Sequence, residues 1–215
     1  MHTFWDHITI TALSLEAGAS FVREVLGVSP QVGGKHPLMA THNLLLRLGD
    51  TCFLEVIAPD PSVPPPVRPR WFALDRLTPD APPSLAAWVI RTDNIHKTIA
   101  RSSEPLGSVE PMSRGGFDWS ITIPDDGLIP FGGAAPALIE WHTDVHPATK
   151  LEDQGVSLVG LEIFHSDPSR ISRLLQSLAL DAPVSISPVS ATIKPYLVAH
   201  INTLKGRRLL SSRPL

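Results

Sequence analysis

The sequence predicts an α+β fold built from paired βαβββ modules. Three observations carry the prediction. The first 60 residues read strand, helix and three strands; the same order returns after a proline-rich connector; and each copy carries a carboxylate on its last strand.

In the first module, residues 1–60, DHITIT alternates from Asp6 to Thr11, with Ile8 and Ile10 on one face and His7, Thr9 and Thr11 on the other. Ser14 is placed to cap the helix LEAGASFVREVLG, and Gly27 to end it. VSPQVGG reads as a short edge strand because of its proline. HNLLLRL and TCFLEVI then form a hairpin turning at Gly49-Asp50. Residues 61–83 form a semi-rigid connector broken by the helical or turn-like WFALDRL. In the second module, residues 84–148, LAAWVIRT is a strand, DNIHKTIARS a helix with Asp93 as its cap, and SVEPMSRGG an extended piece. FDWSITI and APALIEWHT complete the copy after a period of about 80 residues. Residues 156–212 read as a third, weaker βαβββ-like unit, with Pro168 at the start of its helix. Its uncovered sheet face must pack on the first two modules or on a second chain.

Composition narrows the function classes. With 215 residues and 43% hydrophobic content the chain can bury a substantial core. Its 22 prolines, about 10% against a usual 5%, predict long loops and few long helices. A net charge of −3 with no basic stripe gives no sign of a nucleic-acid partner. One cysteine precludes an internal disulfide framework and fits a reducing compartment. No signal-like N-terminus or 18-residue apolar run appears, so no membrane contact and a cytoplasmic location are expected. No phosphate loop, dinucleotide fingerprint or G-x-S-x-G is present, and no nucleotide cofactor is expected.

The chemistry-bearing set is His7, Glu55 and Glu140, all on strands. A carboxylate among bulky apolar residues is costly unless paired or coordinated. Two such acids and an imidazole offer ligands suited to Zn, Mn, Ni, Co or Fe(II). They equally suit a metal-free polar pocket, or pairing with Arg47 and Arg91. Arg114 is a candidate clamp for a carboxylate or phosphate, or a salt-bridge partner of Asp118 or Asp125. Trp119 and Trp141 read as core aromatics with one free to stack on a ligand, His146 as a cap, and Cys52 as packing.

Several stretches together resemble the glyoxalase-like domain family of the vicinal-oxygen-chelate (glyoxalase/bleomycin resistance/dioxygenase) superfamily. They are WDHITITALSLEAGASFVREVLGV, GGKHP with THN and LRLGDTCFLEVIAPDP, RWFALDRL, LAAWVIRTDNI, PMSRGGFDWSITIPDDG and PALIEWHTDVHPA. The resemblance implies sheets curved around a cleft. It also implies metal ligands from the first and fourth strands of each module, here His7, Glu55 and Glu140. The fourth family position falls near Ala87 or Trp88, neither of them a ligand, which leaves His142 as the remaining candidate. Glu55 and Glu140 are the implied catalytic acids; His36, Asn43, Arg114, Trp88 and Trp119 the implied substrate contacts. The implied function is binding of a small oxygen-bearing substrate, with metal-assisted lyase, isomerase or dioxygenase chemistry. The alternative is a metal-free binding or sequestering protein with a pocket walled by Trp88, Trp119 and Phe53. A homodimer formed through the C-terminal unit fits either reading.

Overall fold

The structure, a computed structural model, describes residues 2–212. The first module comprises β1 (Phe4–Thr11), α1 (Leu15–Leu26), β2 (Gln31–His36), β3 (Thr41–Gly49) and β4 (Cys52–Pro59). The second comprises β5 (Ser84–Arg91), α2 (Ile95–Arg101), β6 (Ser108–Arg114), β7 (Phe117–Ile123) and β8 (Ala137–Trp141). Both follow the predicted order. Their strands form one eight-stranded sheet, β2-β3-β4-β1-β5-β8-β7-β6. β1 and β5 pair antiparallel at its centre, and each pairs parallel with the last strand of its own module.

Local chemistry explains the element ends. Ser14 accepts a hydrogen bond from the Ala17 amide, and Gly27, left-handed at φ 75°, donates to the Arg23 carbonyl. On α2 the cap is Asn94, one residue beyond the predicted Asp93; its side chain accepts from the Lys97 amide. The β3–β4 turn falls on Asp50-Thr51, because Gly49 already pairs with Cys52.

The sheet is rolled until its two edges meet. β2 and β6 stand at opposite ends of the strand order, yet Arg114 Nη1 of β6 donates to His36 Nε2 of β2 at 2.9 Å. The concave face carries Ile57, Val89, Ile121 and Ile139 and is covered from the connector by Trp71 and Phe72.

The third unit has β9 (Ser157–His165), α3 (Pro168–Ser177), β10 (Val184–Pro188), β11 (Tyr196–Thr203) and β12 (Gly206–Ser211). It repeats the element order but not the pairing. Its sheet runs β10-β9-β11-β12, so α3 links two adjacent parallel strands, whereas in the first module the first strand pairs with the fourth. Leu161, Ile163, Leu197 and Ile201 of this sheet share one core with Ile8, Leu54, Trp88 and Leu138 on the convex face of the large sheet. The unit therefore packs on the first two modules within the same chain.

α1 lies close on β4 because residue 18 is glycine. A Cβ there would sit 2.3 Å from Val56 Cγ1. Gly18→Val is expected to lower stability by about 1–3 kcal/mol, since overpacking outweighs the few tenths gained in helix propensity. A reduced urea midpoint at unchanged m-value measures it.

Candidate functional site

A β-bulge builds the site's centre. In the β1–β5 ladder Trp5 pairs with Ile90 and His7 with Val89, leaving Asp6 as an extra residue. Strict alternation would send Asp6 and His7 to opposite faces. The bulge instead lets the Asp6 carboxylate reach its neighbour's ring: His7 Nδ1 lies 2.5 Å from Asp6 Oδ1. The other oxygen, Oδ2, accepts from Trp141 Nε1 at 2.7 Å and His146 Nε2 at 2.9 Å. Asp6 is fully buried. Burial by itself would raise its pKa, but hydrogen bonds from His146 and His7 outweigh it and hold the carboxyl far below the usual carboxylate range.

These bonds fix tautomers. His146 Nδ1 accepts from the Ala148 amide, so its proton is on Nε2, facing Asp6. His7 Nδ1–H donates to Asp6, and the ring turns its Nε2 toward the hollow, 3.7 Å from Glu55 Oε2. Phe53 stacks on the His7 ring at 4.6 Å.

Glu55, only 6% exposed, stands on β4 beside His7. Asn43 Nδ2 donates to its Oε1 at 2.6 Å, and Thr9 Oγ1 to its Oε2 at 3.4 Å. Asn43 is itself oriented by the Gly34 amide, which donates to its Oδ1 at 2.8 Å. Gly33 and Gly34 lie at an irregularity in the β2–β3 ladder. A Cβ on Gly33 would sit 2.1 Å from Asn43 Oδ1, and one on Gly34 2.6 Å from Arg114 Cδ. The pair of glycines thus makes room for two site residues.

Arg114 and His36 close the hollow. Arginine has no acceptor, so His36 Nε2 must accept from Arg114, leaving Nδ1–H to donate to Thr41 Oγ1 at 3.1 Å. Burial, reinforced by the Arg114 charge, lowers the His36 pKa well below its usual value and keeps the ring neutral. Burial also lowers the Arg114 pKa, while the Glu55 charge opposes that shift. The guanidinium lies over Trp119 at 5.8 Å. The space left inside is about 20 Å³, room for one water.

His7, Glu55, His36, Asn43, Arg114 and Trp119 therefore converge on one hollow. Glu140, His142 and Trp88 do not. Ile90 pairs with Leu138 on the convex side, so the inward position of β8 belongs to Ile139 and Glu140 falls one residue late. A slip of one residue reverses the face. Glu140 instead accepts the Ile95 amide at the start of α2 at 2.8 Å. His142 Nε2 meets Ser120 Oγ outside the hollow at 2.9 Å. Trp88 is fully buried in the convex core.

The expected metal ligands are thus not assembled. His7 and Glu55 supply two donors, Glu140 and His142 point elsewhere, and the hollow already contains the Arg114 cation. Among the described residues no group of three or more His, Cys, Asp or Glu side chains is placed to hold a metal ion. The donor set does not fit a resident divalent ion.

Sequence reasoning missed Asp6, whose role needs the bulge, and took His146 for a cap only. His146 does cap the turn at Pro147–Lys150, but it also donates to Asp6. Trp71 and Phe72 join the lining from the connector.

A family model described as a glyoxalase-like domain matches residues 5–179. The chain belongs to that family. No curated protein matches it. A hypothetical protein from Staphylococcus aureus shares the fold at 15% identity and TM-score 0.61, covering 88% of this chain and 87% of that one. A variant of 4-hydroxymandelate synthase from Streptomyces coelicolor aligns at 14% identity and TM-score 0.49 over 97% of this chain and 62% of its own. A methylmalonyl-CoA epimerase variant from Streptomyces coelicolor aligns at 18% identity and TM-score 0.44 over 66% and 96%. The S. aureus structure supports the fold of this glyoxalase-like chain, with curved sheets as the resemblance implied. No helix among the described residues is long and apolar enough to cross a membrane.

The neutral, buried His36 has a pH signature. With its folded pKa below the unfolded value of 6.5, the unfolded chain binds the proton first as pH falls. Stability from this group is complete above pH 6.5 and declines below it, with a limiting slope of about 1.4 kcal/mol per pH unit. His36→Gln is expected to flatten the fall in stability between pH 7 and 5, measured by urea unfolding across that range.

Proposed function

We propose that the protein binds a small molecule carrying a carbonyl or carboxylate at this hollow and moves a proton on the adjacent carbon, without a resident metal. One observation supports this above the others. A buried carboxylate, Glu55, lies beside Nε2 of His7 and faces a guanidinium, Arg114, whose one hydrogen bond among the described residues goes to His36. Glu55 is the base that takes the proton. Arg114 meets the negative oxygen that results, a charge worth stabilising where water is excluded. His7, held by Asp6, is the second proton carrier: its Nε2 receives that proton from Glu55 and returns it to carbon or to a leaving oxygen. Isomerase and lyase outcomes share this first step.

The aromatic walls, Trp71, Phe72, Trp119 and Trp141, favour a second reading in which the hollow only holds its ligand.

Deuterium exchange separates the readings. Chelator-treated protein in D₂O is expected to exchange the protons beside the carbonyl of 2-oxo acids, followed by loss of their NMR signal. Glu55→Gln is expected to slow exchange by about 10²–10⁴-fold. Binding without exchange selects the sequestering reading, while exchange that stops with chelator and returns with a divalent ion restores the metal-assisted one.

A further inference from the structure

We infer that the groove outside Arg114 is a second anion subsite, so that the substrate carries a negative group at each end; this rests on the reading of the inner hollow given above. The hollow has room for little more than an oxygen atom. The groove beside it has about 680 Å³, within the range of small-molecule sites. Arg114 lines both, and is the point where a molecule seated in the groove reaches the interior. The body of the substrate therefore lies in the groove and only its reactive end touches Arg114.

The charge of the groove selects its occupant. Arg114, Lys35 and Lys150 line it, and no acidic side chain does. Lys35 is already taken, paired with Asp60 at 2.9 Å. Lys150 makes no ion pair among the described residues; its ammonium rests 4.6 Å from the Phe117 ring centroid. Two cations thus flank one groove: Arg114 beside Glu55 and the proton-transfer groups, and Lys150, with no ion pair among the described residues, toward solvent. Between them Leu45, Phe117 and Leu151 offer an apolar floor suited to a short carbon chain. Gly115 and Gly116 form the β6–β7 turn at φ 54° and 83° and leave that wall open, with nothing within 4 Å of an added Cβ. A carboxylate or a phosphate on the far end of a 2-oxo acid matches this arrangement.

Binding of 2-oxoadipate and of its uncharged-tail counterpart 2-oxohexanoate tests it, read by tryptophan fluorescence, since Trp119 lies beneath Arg114. At low salt the dianion is expected to bind about fivefold tighter, the strength of one partly exposed ion pair. That ratio is expected to approach one in Lys150→Gln and, in the unaltered protein, at 0.5 M NaCl. 2-Oxo-5-phosphonopentanoate, which puts a phosphonate in place of the far carboxylate, is expected to show the same gain and the same loss of it in Lys150→Gln. A ratio near one in the unaltered protein, or one that survives both Lys150→Gln and salt, overturns the inference and leaves the inner site standing. Failure of every 2-oxo acid to bind overturns the reading of the hollow and this inference with it.

Discussion

The buried carboxylate of Asp6 is the constraint on which the site depends. A charge fully removed from water is tolerable only when its oxygens are filled, and removing one partner of such a group costs about 3–5 kcal/mol. Here the partners come from His7 on β1, Trp141 at the end of β8 and His146 in the segment after it. Two modules and the link to the third unit must be in place together for Asp6 to be satisfied. The same bonds leave His7 with one orientation and one tautomer.

The crowding of polar and small residues between Gly33 and Val56 has one cause. Rolling the sheet brings β2 over β6, and the side chains at that junction must fit against backbone. Gly33 and Gly34 leave the volume that Asn43 and Arg114 occupy. Asn43 passes the order on by holding Glu55, and His36 does so by accepting from Arg114. An acid inside a strand is stable here because four polar neighbours surround it before any ligand arrives.

Features set by neighbours in sequence were legible: the Ser14 cap, the Gly27 stop, the edge position of β2 and the order of both modules. The inward face of β1 was legible as well, since Ile8 and Ile10 alternate there with His7, Thr9 and Thr11. β8 gave no such guide. Leu138 and Ile139 are both buried, on opposite faces, so alternation could not fix which side Glu140 takes. The bulge at Asp6 was equally hidden, because it is set by the pairing of Trp5 with Ile90 and His7 with Val89, far along the chain on β5. A similar shift between Thr9 and Ile10 puts Leu85 and Trp88 on the same face. The third unit shows the limit of element order, which does not specify pairing.

The junction where the rolled sheet meets itself is fastened by side chains and not by a ladder of backbone bonds, with the Arg114–His36 contact at its centre. Only one of the five N–H donors of that guanidinium is spent on His36, so a guest anion meets the remaining donors while the clasp stays shut, and the wall that closes the barrel is also the wall that receives the ligand.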